Sequence, residues 1–161
     1  MPTGNPIAFT DKVTEISSTP LYPIGTVRFQ PDSNGVMAKY EYCQADDALT
    51  QYDAVCIDIA ASANCTKVTR AGTAGQLIRG FTQVAVTDEY YFWLQTGGVM
   101  SATMKTGVAA EDPVTATSTA GACGKCSEAD STAVYKAAVR FTAITANSSG
   151  SDATRVVYAP L

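Results

Sequence analysis

After Gly25 the chain reads as a series of short stretches in which apolar and polar residues alternate with a period of two. In VMAKYEYC (36–43), Val36, Ala38, Tyr40 and Tyr42 fall on one face of an extended chain. Met37, Lys39, Glu41 and Cys43 fall on the other, because successive strand side chains point to opposite sides. The preceding stretch TVRFQ (26–30) is joined to it by Pro31-Asp32-Ser33-Asn34-Gly35, whose Asn-Gly supplies the positive φ of a tight reversal. Further strands are predicted at AVCIDI (54–59), CTKVT (65–69), RGFTQVAV (79–86), YYFWLQ (90–95), GVMSATM (98–104) and PVTAT (113–117). The alanines of TAVYKAAVRFTAIT (132–145) suggest a helix, but its period-two alternation decides for a strand. Ala133, Tyr135, Ala137, Val139, Phe141 and Ala143 share one face, with Lys136, Arg140 and Thr142 opposite. NSSGSD (147–152) turns the chain into a last strand, TRVVY (154–158), which predicts a C-terminal hairpin.

Residues 1–23 differ from the rest. Pro2, Pro6, Pro20 and Pro23 block regular ladders, so this segment is expected to be an extended N-terminal arm. The remainder, 24–161, is expected to form a single all-β domain, a small β-sandwich or β-barrel. Residues 117–132 form its one long loop. A chain of 161 residues with 46% hydrophobic and only 16% charged residues has the material for a real core and a largely neutral surface.

Charge and residue inventory narrow the chemistry. A net charge of −4, with Lys and Arg scattered singly, is opposed to nucleic-acid binding, which needs a basic footprint. No stretch has the run of apolar residues that crosses a bilayer as a helix, and the N-terminus lacks the pattern of a secretory signal. Five cysteines, an odd count, then lead to an expectation of reduced thiols. Histidine is absent, so Ser-His-Asp and Cys-His arrangements are impossible within the chain. Cys123-Gly-Lys-Cys126 is the sharpest local motif, but a second C-x-x-C is missing and the surroundings are loop-like rather than β-α-β. The doublets Asp46-Asp47, Asp88-Glu89 and Glu111-Asp112 sit in turn signals, where carboxylates ordinarily face water. No enzyme, metal or cofactor is expected.

The aromatic run Tyr90-Tyr91-Phe92-Trp93 holds the single tryptophan and is followed by Gly97-Gly98. In a strand, Tyr91 and Trp93 point one way and Tyr90 and Phe92 the other. One pair is then available to anchor the core, and the other to cover a sheet face or meet a partner. The glycine pair is expected to turn the chain.

The order of these pieces resembles a known family. PLYPIGTVRFQPDSNGVMAKYEYCQADDALTQYDAVCID (20–58) looks like the opening of small structural proteins of tailed bacteriophages, with its P-x-x-G-T, Y-x-Y and A-L-x-x-Y-D-A-V patterns. GQLIRGFTQVAVTDEYYFWLQTGGVMSATMKTGVAAEDPV (75–114) and AAVRFTAITANSSGSDATRVVYAPL (137–161) are similar to the family's Trp-containing core and closing hairpin. Phe92 stands where the pattern has Gly, Arg140-Phe141 replace a small residue, and the loop with Cys123 and Cys126 is extra. The resemblance implies a capsid decoration (cement) protein, assembled in the host cytoplasm and bound, often as a homotrimer, to the outer surface of the virion. There it would clamp neighbouring major capsid protein subunits, with the arm adding a strand to an exposed sheet edge. The candidate interface residues are Ile7, Phe9, Val13 and Ile16 of the arm with Tyr90 and Phe92. The alternative is a head-fibre or tail receptor-binding module that recognises host glycans through exposed aromatics.

Overall fold

The computed structural model describes residues 11–32, 35–57, 67–73, 76–126 and 141–161, and these contain strands and no helix. In chain order the strands are β1 (Val27–Pro31), β2 (Met37–Ala45), β3 (Ala54–Ile57), β4 (Lys67–Arg70) and β5 (Gly80–Phe81), then β6 (Tyr91–Met104), β7 (Pro113–Ala116), β8 (Cys123–Lys125), β9 (Phe141–Ala143) and β10 (Ala153–Ala159). Neighbours run β1-β2-β4-β3-β5-β6-β10-β9-β7-β8, with β2 also paired to β6. Strands β2, β4, β3, β5 and β6 therefore close into a five-stranded barrel, and β1 lies outside it on the free side of β2. Beyond β6 the ladder closes a second time, because β8 returns to β6 through Met104 and Cys123. The expected all-β fold is observed, and of the two forms expected, sandwich or barrel, the closed barrel is present.

Strand β6 explains the aromatic run. Its residues 91–97 pair with β2, and residues 98–104 pair with β10. Over residues 92–98 the strand is buried on both sides, so the aromatic run has no solvent face, whereas Val99, Ser101 and Thr103 further along are half-buried. Phe92 and Leu94 join Cys43, Ala45, Leu49, Val55, Val68 and Val86 in one core cluster. Trp93, on the opposite side, joins Ala38, Tyr40 and Tyr42 in another. A third cluster runs from Ala54, Cys56 and Phe81 to Met100, Met104, Phe141 and Val157, and so joins the two halves.

The glycine pair does not turn the chain. Gly98 adopts φ of 88° within the continuous strand, where a Cβ would lie 2.7 Å from the Met37 carbonyl oxygen. Close backbone approach, rather than reversal, is what these glycines permit. The expected long loop 117–132 also contains structure: Cys123–Lys125 pairs with β7. RGFTQVAV is strand only at Gly80–Phe81, where Gly80 passes so close to β6 that a side chain would collide with the Gln95 carbonyl oxygen. Val86 forms only an isolated bridge with Leu49. Other expectations hold. Ala38, Tyr40 and Tyr42 are buried on one face of β2, and Gly35 has positive φ next to the Asp32–Val36 reversal. The hairpin of β9 and β10 pairs Ala143 with Val157 and Thr142 with Tyr158. All of 132–140, with Ser33, Asn34 and Cys65, lies outside the described residues.

Candidate functional site

The arm expected over residues 1–23 is docked along its described part. Asp11 is the anchor: its carboxylate accepts from Trp93 Nε1 at 2.6 Å and from the Tyr22 hydroxyl at 2.6 Å, and it pairs with Arg28 at 3.5 Å. The Arg28 guanidinium also donates to the Asp11 carbonyl and sits 5.7 Å from the Trp93 ring centroid. Val13 and Tyr22 pack on the aromatic cluster, Ser17 bridges Tyr91, and Leu21 N donates to the Tyr42 hydroxyl at 3.0 Å. Burial pushes the Tyr42 phenol above its ordinary pKa. The segment from residue 11 to 23 is thus a lid on Trp93.

This arrangement redistributes the candidate interface residues. Ile7 and Phe9 lie outside the described residues. Phe92 is fully buried and unavailable to a partner, because both faces of β6 are covered. Val13 and Tyr90 are half-buried against separate clusters, and Ile16 alone remains exposed. Trp93 is buried as well, so it offers no stacking platform for a sugar.

The ionisable groups raised by the sequence serve the fold. Asp53 is buried, and its carboxylate accepts from Thr50 N at 2.7 Å, Thr50 Oγ1 at 2.6 Å and Arg70 Nε at 2.7 Å. Gly121, at φ of 77°, passes so close that a Cβ would collide with that carboxylate. Asp47 accepts from Thr69 Oγ1 at 3.0 Å, and Glu89 accepts from Gln44 at 3.0 Å. Asp112 accepts from Ala109 N and pairs with Lys125, which holds its carboxyl below the ordinary range. Among the described residues, Cys43, Cys123 and Cys126 are free thiols, the buried Cys56 Sγ donates to the Thr69 carbonyl at 3.8 Å, and no cluster of three or more His, Cys, Asp or Glu is placed to hold a metal ion. Burial pushes the Cys43 thiol far up and the Cys123 thiol to about 12, the reverse of an activated nucleophile.

What stands out is the sidedness of β1. Arg28 points inward with its side chain only 12% exposed, whereas Phe29 is 55% exposed and Val27 42%. The ladder sets Val27 opposite Glu41, Phe29 opposite Lys39 and Pro31 opposite Met37, and directly opposed residues share a face. Val27 and Phe29 of β1 and Met37 of β2 therefore share one outward face as an apolar strip, with Lys39 and Glu41 beside it on β2, and β1 is the outermost strand of the described sheet. Single exposed hydrophobics need no explanation, but a contiguous strip on an edge strand does. The alternation in TVRFQ was visible in the sequence. Which side faced in was not, because the inward pull on Arg28 comes from Asp11 and Trp93.

Beside this strip lies a pocket of about 440 Å³ walled by Lys39, Thr96, Thr142, Tyr158, Pro160 and Leu161. A β-bulge makes it. The register steps from Lys39–Gly97 to Tyr40–Gln95, which leaves Thr96 as the extra residue of β6. The buried Gln95 amide braces the bulge by donating to the carbonyls of Gly97 at 3.3 Å and Val99 at 3.0 Å. Gly97 lets the C-terminal residues close the wall, since a Cβ there would lie 2.9 Å from the Pro160 carbonyl oxygen.

No family model matches this chain, and neither the curated proteins nor the solved structures offer a match.

Proposed function

We propose that the chain is a structural protein-binding domain that docks through the β1–β2 face, and that its setting is the outer surface of a phage capsid. In this reading it decorates the head, as a homotrimer, and clamps neighbouring major capsid subunits. The observation that carries it is the inverted strand: an arginine turned inward against Asp11 and Trp93 while Phe29, Val27 and Met37 are presented to solvent. Fully burying an aromatic or aliphatic side chain contributes about 1.5–3 kcal/mol, so a strip of three such residues is a usable adhesive surface. Repetition over a shell multiplies modest single contacts. The capsid setting itself rests on the resemblance over residues 20–161. A glycan-binding module would need an aromatic other than Trp93.

Electron cryo-microscopy of the particles tests the setting, with density expected on the outer shell at a copy number comparable to the coat. Density confined to the tail would refute it. Phe29→Ser tests the face: circular dichroism should be unchanged while uptake onto undecorated heads falls about tenfold or more, equivalent to about 1.4 kcal/mol. Unchanged uptake would remove the strip from the interface.

A further inference from the structure

The pocket beside the bulge has a chemistry that the apolar strip does not require. Thr96 is buried, and its Oγ1 has no hydrogen-bond partner among the described residues. An unpaired buried hydroxyl is unfavourable, and native structures rarely keep one without a use. A simple ladder would place a residue at this point in register; the bulge instead displaces Thr96, and bulges commonly re-aim a side chain. The other wall residues are complementary. Lys39 makes no ion pair among the described residues, whereas Lys105 and Lys125 each pair with an aspartate, at 3.0 Å and 3.1 Å. Thr142 and Tyr158 add hydroxyls, opposed in the β9–β10 ladder. Ala159, Pro160 and Leu161 supply apolar walls.

We infer that this pocket is a socket for a single carboxylate, carried by an aspartate or glutamate side chain of the docked protein. One cation with the wall hydroxyls of Thr142 and Tyr158 matches one negative charge and its lone pairs, and charge-assisted hydrogen bonds are the strong ones; Thr96 Oγ1, shielded and unpaired in the free protein, is the further donor once its side chain turns toward the bound group. A phosphate, with nearly twice the charge, is ordinarily met by arginine forks or by several cations, and arginine is not among the wall residues. The socket adjoins the apolar strip through Lys39, which stands opposite Phe29 in the ladder. A partner segment with an apolar residue beside an acidic one would engage both at once. This inference rests on the β1–β2 face being a docking surface, and it adds what the partner must carry there.

The test is a titration of the isolated full chain with N-acetyl-aspartate methylamide, followed by NMR at the Thr96 methyl and the Tyr158 ring. The neutral asparagine analogue and inorganic phosphate serve as controls. Saturable shifts are expected with the aspartate compound alone. Lys39→Met should weaken them at least tenfold. Thr96→Val should weaken them too, while melting at the same temperature as the parent or higher, since it removes a hydroxyl that the free protein leaves unpaired. Flat titrations, an equal response to the asparagine compound, full binding by Lys39→Met, or tighter binding of phosphate would each overturn the inference. Two failures are distinguishable. If Lys39→Met attaches to heads normally and the titration is flat, the socket is refuted while docking stands. If the titration saturates but heads never take up the parent chain, the carboxylate site stands and the capsid is refuted as its source.

Discussion

The anchor at Asp11 can be broken with one substitution. Its carboxylate, 7% exposed, serves Trp93, Tyr22 and Arg28 together. Asp11→Ala removes the acceptor of two hydrogen bonds at 2.6 Å and the partner of a guanidinium that is itself mostly buried. Hydrogen bonds to charged groups contribute about 1.5–3 kcal/mol each, and removing one member of a buried ion pair costs about 3–5 kcal/mol. These costs overlap, because the same carboxylate is counted in both, and Arg28 keeps its bond to the Asp11 main-chain carbonyl. A net loss of about 3–5 kcal/mol follows, or a fall in Tm of roughly 10 °C for a chain of this size. Asp11→Asn, which keeps an acceptor oxygen but no charge, should lose about half as much. Urea unfolding gives the stability directly. Trp93, the only tryptophan, reports the local change as a red-shifted native emission when the lid loosens. A loss below about 1 kcal/mol with unchanged emission and near-ultraviolet dichroism would refute the view that residues 11–23 are held by this carboxylate.

Other consequences are testable in the same material. Gly98→Ala combines a left-handed φ with contact against the Met37 carbonyl, and should cost about 2 kcal/mol or more by thermal melting; a neutral effect would show that β6 relaxes there. The buried thiols make stability pH-dependent on the alkaline side. The folded pKa of Cys123 is raised from 9.0 to about 12, so its contribution is complete below pH 9 and is lost as pH climbs from 9 towards 12. Urea midpoints should fall above pH 9, and Cys123→Ala should flatten part of that slope. Cys126 should react with a thiol reagent in the folded protein while the buried Cys43 and Cys123 wait for unfolding.

Much of the architecture was legible from alternation alone. The faces of β2, the β9–β10 hairpin and most strand positions follow from period two, because a half-buried strand must segregate its side chains. The misreadings share a cause. Gly97-Gly98 looks like a turn locally, and only the arrival of β2 and the C-terminal residues from distant sequence shows that it marks crowding. Phe92 looked like one of two faces, but over residues 92–98 β6 is buried on both sides and has no outer face to offer. The docked segment 11–23 was obscured by its prolines, which do argue against a ladder but not against packing by side chains. The strip on β1 and the socket beside it were invisible for the same reason, since both depend on long-range pairing that sets which side of an alternation turns inward.

The double closure on β6 also constrains how the chain is made. The eighth to fourteenth residues of that strand have β10 as their partner, and β10 is synthesised only after β7, β8 and β9. Until it leaves the ribosome, a nascent chain carries one flank of β6 bare. Folding must therefore conclude after translation of this region, through contacts between distant residues, which is an intrinsically slow route. A cell that makes the protein in bulk has to shield that flank in the interval, and losing even a few residues of β10 would strand the chain at this half-closed stage.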